Sequence, residues 1–375
     1  MAELSNVKRP ANLKGSNVNA PRHPLLRSPL LLVFLFTSLV CALLIGFTLI
    51  GLSDFDLSDR DITELSFTHH ENMLSGTLVL PDTNHDGPIA LLVHGDGPQD
   101  RFSNEVYLPL INALLDQGIG IYSWDKAGIG QSAGNWLDQS MDDRAHEAVA
   151  AFDMIVATRQ VPADKVGFIG FSQAGWVIPK AGKLIPELAF NVVIGGAVNW
   201  QDQGAYYMCQ RLLTAGTAHH DIDTQIAESR KRDAVIFAPD ADYETYLAIT
   251  TSPDPMTMDR YSFVKRNISA DAKNDLMHLK TPFLALFGVD DLNVDALTDA
   301  RIYQNILIGR HPQNAVTLIP DATHGLLRSN LFNYQLASEM PKERQFLFAA
   351  MGRYAYVPDV IDHMANWIHQ TVTVQ

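Results

Sequence analysis

Apolar and polar residues alternate in blocks along most of the chain, and the blocks predict alternating strands and helices. Residues 88–95, 190–198 and 282–290 are nearly uninterrupted apolar runs, as in PIALLVHG. Runs of this kind are typical of strands buried on both faces of a parallel sheet. Helical spacing of apolar residues marks 106–118 and 145–160 between them. The alternation predicts a doubly wound α/β domain with a mostly parallel sheet.

Other segments extend the same pattern. Two β-runs joined by a turn near His70 are predicted within 62–81, and further strands at 119–125, 164–171 and 315–325. Helices are predicted after Ser172, near 295–308 and at 360–370.

The alternation breaks between residues 199 and 280. This segment is mostly helical and polar, and it lies between two predicted strands. We interpret it as a helical cap over the carboxyl edge of the sheet, where open α/β sheets bind their ligands. The sequence therefore predicts a core of residues 62–198 and 281–375 with a cap inserted at 199–280.

An uncharged apolar stretch lies near the N-terminus, from Pro29 to Leu52. As a helix it is long enough to cross a hydrocarbon core of about 30 Å. The basic residues before it are Lys8, Arg9, Lys14, Arg22 and Arg27. We expect an uncleaved signal anchor at 29–52 with the tail 1–28 in the cytoplasm, followed by a short linker at 51–60.

Two alternatives for this stretch stay open. A cleaved signal peptide usually has a shorter basic region and a shorter apolar region, with an A-x-A-like site after it. A buried core helix rarely lacks a polar face.

The sequon Asn267-Ile-Ser269 would matter only in a eukaryotic secretory pathway. Since nothing else favours that pathway, we expect a single-pass protein of the bacterial inner membrane with its catalytic domain in the periplasm.

Composition narrows the function further. Hydrophobic residues form 47% of the 375 residues, so most of the chain is expected to pack a core. The net charge of −14 argues against a nucleic-acid partner. Cys41 and Cys209 are the only cysteines, and Cys41 lies in the apolar stretch, which excludes a disulfide framework and a cysteine zinc site. The oligomeric state is not indicated.

A candidate nucleophile is found in GFIGFSQAGW, residues 167–176. Gly170-x-Ser172-x-Ala174 is a relaxed form of the G-x-S-x-G nucleophile elbow, with a predicted strand before it and a helix after it. A serine hydroxyl becomes a useful nucleophile only when a histidine, oriented by a carboxylate, takes its proton. In this fold class the three residues follow in the order Ser, Asp or Glu, His.

Candidates for the acid and the base follow Ser172 in that order. The acid is Asp290 or Asp291 at the end of a predicted strand, and the spacing after Gly288 favours Asp291 over its neighbour and over Asp295. Acids at such a position also cap the following helix in many proteins. The base is His324, on a loop after the last predicted strand.

The sequence also offers two donors for an oxyanion hole. One is the backbone amide of Gln173, the residue after the nucleophile. The other is the amide of Asp96 in the glycine-rich loop HGDGPQDR, 94–101, where glycines let the backbone approach a substrate closely. The alternative for this loop is an ordinary glycine-rich turn.

Five motifs together resemble the α/β-hydrolase superfamily: LLVHGDGPQDR, YSWDKAGIGQSAGNW, GFSQAGW, FGVDDLNV and DATHGL. More narrowly, they resemble the bacterial esterase and dienelactone-hydrolase-like group with its HGSGPQDR-type and DKRGxGxS-type loops. The resemblance covers about residues 62–370. It implies a carboxylic ester hydrolase with a Ser172, Asp291 and His324 triad and no metal or organic cofactor.

Three positions depart from that pattern. Ala174 replaces the second glycine of the elbow, and Ala127 replaces an arginine in the DKRG-like loop. Asp96 stands where serine is usual, and an inward-pointing carboxylate would oppose a developing oxyanion. We therefore expect Asp96 to point away from the oxyanion, toward Arg101.

The leading hypothesis is a membrane-anchored serine hydrolase that cleaves small acyl esters through an acyl-enzyme. One alternative is a thioesterase or a peptidase of the aminopeptidase or prolyl-oligopeptidase kind, with acids of the cap (Asp240, Asp242 and Glu244) binding a substrate N-terminus. Another is a non-catalytic binding protein on a hydrolase scaffold. Trp200, Tyr206, Tyr207 and Met208 are candidates for lining the substrate pocket or packing the cap.

Overall fold

One sheet of eight strands organises the chain, in the order β1-β2-β4-β3-β5-β6-β7-β8. The computed structural model describes residues 29–81, 85–159 and 161–374. The strands are β1 (Asp61–His69), β2 (Asn72–Leu80), β3 (Ile89–Val93), β4 (Gly120–Trp124), β5 (Val166–Phe171), β6 (Asn191–Ile194), β7 (Phe283–Gly288) and β8 (Ala315–Ile319). Strands β3 to β8 pair in parallel. Strands β1 and β2 pair antiparallel with each other, and β2 with β4, so the predicted mostly parallel sheet is confirmed.

Helices connect the strands. They are α1 (Pro29–Ser53), α2 (Leu108–Asp116), α3 (Met141–Arg159), α4 (Ala174–Leu184), α5 (Trp200–Thr214), α6 (His219–Ile236), α7 (Tyr243–Ile249), α8 (Met258–Asn267), α9 (Lys273–His278), α10 (Ala296–Leu307), α11 (Ser329–Phe332), α12 (Lys342–Met351) and α13 (Val360–Val374). The sequence pattern did not predict α11 or α12.

The buried strands separate two apolar clusters. Along β3, Leu91 belongs to one cluster and its neighbours Ala90 and Leu92 belong to the other. The same alternation occurs at Phe168 and Ile169 of β5. Because successive side chains of a strand point to opposite faces, the two clusters lie on the two sides of the sheet. This is the doubly wound arrangement that the apolar runs predicted.

Five helices, α5 to α9, lie between β6 and β7. They occupy the segment predicted to form the cap, and its division from the core at 199–280 stays a prediction. The chain divides into two compact units, one ending at Phe47 and the other beginning at Thr48.

Among the described residues, one helix, α1, is long and apolar enough to cross a membrane. A membrane anchor and a signal sequence both have this property. The predicted tail 1–28 lies outside the described residues.

The predicted linker at 51–60 contacts the rest of the protein through particular residues. Gly51 and Asp54 are buried, and the Asp54 carboxylate accepts hydrogen bonds of 2.7 Å from the backbone amide and the Nε of Arg353. Asn112 donates to the backbone oxygen of Asp54 at 2.8 Å. The expected linker is tied to the hydrolase by its buried acid, because Asp54 is paired with Arg353.

Candidate active site

The turn between β5 and α4 carries Ser172 in a conformation that is unusual for a residue with a side chain. Its φ is +54°, in the left-handed region. The Ser172 amide donates to the Ile194 carbonyl at 2.8 Å, which fixes the turn against the end of β6. A strained strand-to-helix turn of this kind projects its side chain beyond the end of the sheet. The local backbone is that of a nucleophile elbow.

The structure also shows how the elbow accepts Ala174 where glycine is usual. A Cβ added to Gly170 would lie 2.5 Å from the Ala174 Cβ, so the methyl group occupies the space that Gly170 leaves. The next residue, Gly175, approaches Gly196 so closely that a Cβ there would lie 2.7 Å from the Gly196 Cα. The close packing of the elbow thus depends on Gly170 and Gly175, and Ala174 leaves it intact.

His324 and Asp291 are brought together at the carboxyl edge of the sheet. The His324 Nδ1 lies 2.6 Å from the Asp291 Oδ2. The other oxygen, Oδ1, accepts from the backbone amides of Asn293 at 2.6 Å and Val294 at 2.9 Å. Asp291 is 1% exposed, and these hydrogen bonds fix the orientation of its carboxylate.

The two other acids considered from the sequence have different partners. The Asp290 Oδ2 accepts from the Ser329 hydroxyl at 2.6 Å. Asp295 caps α10 by accepting from the Thr298 amide at 3.1 Å. Within the described part of the chain, the carboxylate that His324 meets is that of Asp291.

Ser172 and His324 are linked through the short segment after β6. Ser172 is hydrogen-bonded to Ile194, and a Cβ added to the next residue, Gly195, would lie 2.8 Å from the His324 ring. Among the described residues, the hydrogen bond of the His324 ring runs from Nδ1 to Asp291, and none joins the ring to the Ser172 hydroxyl. The hydrogen bond between a nucleophilic serine and its histidine base is often long in unliganded enzymes and shortens when substrate binds.

The glycine-rich loop 94–101 lies beside the elbow. A Cβ added to Gly95 would lie 3.4 Å from the Ser172 Cβ, and Gly97 has a φ of +92°. The backbone amides of Asp96 and Gln173 donate to no acceptor among the described residues. Two amides without a partner next to a serine on a strained turn are suited to bind an oxyanion.

Two buried cations hold this region, and the sequence reasoning missed both. The Lys126 Nζ donates to the carbonyls of Gly95 at 2.8 Å and Gly97 at 2.9 Å. Arg144 of α3 donates to the His94 carbonyl at 2.7 Å and also to the Gln173 side-chain oxygen. Burial lowers the pKa of Lys126 well below its ordinary value. The position of Lys126 in the DKAG motif was the one signal in the sequence that pointed to it.

The Asp96 side chain does not pair with Arg101, so the expected partner was wrong. It pairs with Arg260 of α8, through contacts of 3.0 Å from Nη1 to Oδ1 and 2.7 Å from Nη2 to Oδ2. Arg101 instead donates to Asp125, from its backbone amide at 2.8 Å and its Nη2 at 2.8 Å. The Asp125 that begins the DKAG loop thus has an arginine partner although Ala127 replaces the usual arginine.

The pKa values of two histidines in this region are shifted in opposite directions. Burial by itself would lower the pKa of His324, but the charge of Asp291 and the hydrogen bond to it outweigh burial and raise that pKa. Among the described residues no carboxylate is hydrogen-bonded to His94, and burial lowers its pKa to about 3. Neutral His94 lies 2.6 Å from the Trp124 carbonyl through Nε2, which suits a structural role.

Helix α5 contacts the loop that carries Asp291. The Tyr206 hydroxyl donates to the Asp291 backbone oxygen at 2.8 Å, and the Gln203 side chain donates to the Asn293 carbonyl at 2.9 Å. Tyr206 therefore supports the acid loop. From the sequence, Tyr206 was a candidate only for lining the substrate pocket or packing the cap.

A cavity of about 310 Å³ lies among α5, α6 and α8. Trp200 and Met208 line it, together with Phe237 and Val264, and Ser172, Asp291 and His324 do not. Trp200 also stacks on Trp176 of α4, with ring centroids 5.0 Å apart.

No cluster of three or more metal-ligating side chains occurs within 29–81, 85–159 and 161–374.

Fold and site together define the class of this protein: it is a hydrolase with the α/β-hydrolase fold. Residues 89–330 match the family described as serine aminopeptidase, S33, and the chain belongs to that family. The expected superfamily is therefore confirmed. No protein of curated function matches the sequence.

Solved structures share the fold. The structure of DcsB in complex with its substrate analogue is similar with a TM-score of 0.54 and 13% identity, over 84% of this chain and 100% of that one. Est1E of Butyrivibrio proteoclasticus with bound ferulic acid has a TM-score of 0.50 and 13% identity, over 83% and 98%. The Pyrococcus furiosus esterase PF2001 has a TM-score of 0.47 and 17% identity, over 80% and 93%.

Proposed function

We propose that this hydrolase cleaves carboxylic esters with Ser172 as nucleophile, His324 as base and Asp291 as the acid that orients His324. The observation that carries the proposal is the 2.6 Å hydrogen bond between His324 Nδ1 and Asp291 Oδ2, next to the strained turn that presents Ser172. Such a pair fixes the tautomer in which Nε2 is free to take a proton.

The reaction proceeds in two steps. Ser172 Oγ attacks the acyl carbon while its proton passes to His324 Nε2, and the negative charge on the carbonyl oxygen meets the amides of Asp96 and Gln173. His324 then gives the proton to the leaving alcohol. Water, deprotonated by His324, attacks the acyl carbon. The bond from this carbon to Ser172 Oγ then breaks, His324 returns the proton to Oγ, and the carboxylic acid is released.

The test compares Ser172→Ala with the unchanged full chain in detergent, using a series of short p-nitrophenyl esters. We expect kcat to fall on the order of 10³-fold or more, because the members of a triad act as a unit. Ser103→Ala is a matched control, since Ser103 also has a left-handed backbone, with a φ of +53°. Equal rates for Ser172→Ala and the unchanged chain would contradict the proposal.

A peptidase activity is the second candidate, and the family assignment favours it. The acids that would bind a substrate N-terminus were expected at Asp240, Asp242 and Glu244. All three are exposed, and Asp242 caps α7 by accepting from the Thr245 amide at 2.9 Å. Because all three acids are exposed, their positions favour ester substrates over peptide substrates. Faster turnover of amino-acid amides than of esters would reverse this preference and favour the peptidase.

A third candidate is a binding protein without catalysis. Its sequence basis was the pair of departures at Asp96 and Ala174. Since Ala174 fits the elbow and Asp96 is paired with Arg260, neither departure blocks the site. Labelling of Ser172 by a fluorophosphonate requires an activated serine, so a labelled Ser172 excludes this candidate.

We further propose that α1 anchors the protein in the bacterial inner membrane, with residues 1–28 in the cytoplasm and the hydrolase in the periplasm. The support is the uncharged helix Pro29–Ser53 and the basic residues that precede it in the sequence. The cleaved signal peptide remains the alternative.

A further inference from the structure

We infer that Arg260 of the cap helix α8 is a positioning residue for ester hydrolysis, acting through Asp96 on the oxyanion hole. The inference rests on the proposed function. It assigns to the cap a part of the catalytic geometry: the hole is held in its working form only when Arg260 is paired with Asp96.

The contact between the two side chains is bidentate. Both oxygens of Asp96 accept from Arg260, at 3.0 and 2.7 Å. Parallel hydrogen bonds between a guanidinium and a carboxylate fix direction as well as distance. The Arg260 guanidinium also lies 5.8 Å from the ring of Trp136 and 5.1 Å from the ring of Phe263, which restricts its position further.

Asp96 and Gln173, the residues whose amides are proposed to bind the oxyanion, are also joined through their side chains. The Gln173 Nε2 donates to the Asp96 Oδ1 at 3.1 Å, and the Gln173 Oε1 accepts from Arg144. A chain of contacts therefore runs from Arg144 through Gln173 and Asp96 to Arg260. Because Arg260 ends the chain, its removal leaves Asp96 without its strongest partner.

The charges around Asp96 explain why a carboxylate can stand at this position. Burial pushes the pKa of Asp96 upward, but the hydrogen bonds and charge of Arg260, with the charge of Lys126, hold it below its usual value. The cations that face this carboxylate are Arg260 from the cap, Lys126 from the loop after β4 and Arg144 from α3. An ionised Asp96 without Arg260 opposes the negative charge that develops on the substrate oxygen.

The experiment measures kcat and KM for a p-nitrophenyl ester with the full chain in detergent. Arg260→Met is introduced both alone and together with Asp96→Ser. Alone, we expect it to lower kcat on the order of 10- to 100-fold, below the loss of a whole oxyanion donor. In the Asp96→Ser background, we expect the same substitution to cost less than about threefold, because no carboxylate is left to compensate.

A further readout separates positioning from general support of the cap. Arg260→Lys, which keeps the charge and loses the fork, is expected to retain an intermediate kcat. Arg266→Met is the matched control on the same helix, since Arg266 donates to the Leu137 carbonyl.

Three results would overturn the inference. They are an equal loss from Arg260→Met in both backgrounds, no loss in either, and an equal loss from Arg266→Met. The rate at which a fluorophosphonate labels Ser172 repeats the comparison without an ester substrate. A chain whose Ser172 is not labelled overturns the proposed function and this inference together, whereas labelling at equal rates with and without Arg260 overturns the inference alone.

Discussion

His324 shows how one partly buried side chain sets the pH range of the proposed reaction. Its pKa is raised because the charge of Asp291 and the hydrogen bond to it exceed the opposite effect of burial. Only the neutral imidazole can take a proton from Ser172. Ester hydrolysis by the unchanged chain should therefore decline as the pH falls through this raised pKa, with one proton involved.

Asp291→Asn should move that decline to lower pH, because the effect of burial on the His324 pKa then has no charge to oppose it. We also expect kcat to fall on the order of 10³- to 10⁴-fold, since an amide holds the imidazole in the wrong tautomer. Profiles of kcat/KM against pH measure both effects. Asp290→Asn is the neighbouring control, and a shift caused by it but not by Asp291→Asn would reverse the assignment of the acid.

Gly195 offers a second prediction at the residue scale. Gly195→Ala would place a methyl group 2.8 Å from the His324 ring, at a φ of +60°. We expect kcat to fall about 100-fold or more, since a misplacement of about 1 Å can cost this much. Gly216→Ala is the control, because Gly216 has a φ of +79° with nothing within 4 Å of an added Cβ.

If both glycine variants lose a similar small amount of stability and only Gly195→Ala loses activity, the close approach to His324 is the cause. Equal activity in the two variants would show that the imidazole tolerates displacement. Thermal unfolding and ester kinetics on the same preparations separate the two effects.

Side chains of this site differ in how far the sequence could identify them. Ser172, Asp291 and His324 stand in a fixed order, each after a strand, so the sequence could nominate them. Lys126 and Arg144 donate to backbone carbonyls, which every residue carries, so the sequence pointed only to Lys126, through its place in the DKAG motif. The pair of Asp96 with Arg260 joins positions far apart in the chain, and Arg101 was expected only because it lies close to Asp96 in the sequence.

At the scale of elements, the sequence predicted what periodicity controls. Strands β3 to β8 are mostly apolar runs, and their bounds fall within the predicted segments, whereas β1 begins at Asp61, one residue before the predicted 62. Helix α3 begins at Met141, before the predicted 145, because its first turn is acidic and gave no apolar signal. Helices α11 and α12 have too short or too irregular an apolar pattern for periodicity to show them.

Helix α12 also meets the end of α1. A Cβ added to Gly51 would lie 2.0 Å from the Ala350 backbone oxygen, so the two backbones are in close contact. We expect Gly51→Ala to lower the free energy of unfolding by about 1–3 kcal/mol, because the clash is with backbone that cannot turn aside. Thermal unfolding in detergent measures the change.

Gly46→Ala is the matched control on the same helix, where an added Cβ meets nothing within 4 Å. Its expected effect is neutral or slightly stabilising, since alanine favours a helix more than glycine does. Equal unfolding temperatures for Gly51→Ala and Gly46→Ala would contradict the close contact with α12.

For the whole molecule, the main question is how the apolar N-terminal helix and the hydrolase are divided. The compact unit that holds the hydrolase begins at Thr48, within α1. Residues after it belong to the packed structure, since Asp54 pairs with Arg353 and also supports Asn112 through its carbonyl. Cutting the chain at the end of α1 would therefore remove residues that belong to the compact unit of the hydrolase.

Two truncations test this division together with the proposed membrane anchor. A chain that begins at Thr48 should remain in the supernatant after centrifugation and keep its ester hydrolysis, whereas the full chain should stay with the membrane after carbonate extraction. A chain that begins at Asp61 also loses Asp54, and Arg353 then keeps Asp116 as its acidic partner. We expect its free energy of unfolding to be lower by about 1–3 kcal/mol, less than when a buried charge loses its whole partner. Equal stability of the two truncated chains would show that residues 51–60 act only as a linker.

A shorter, released product from the full chain would favour the signal peptide over the anchor.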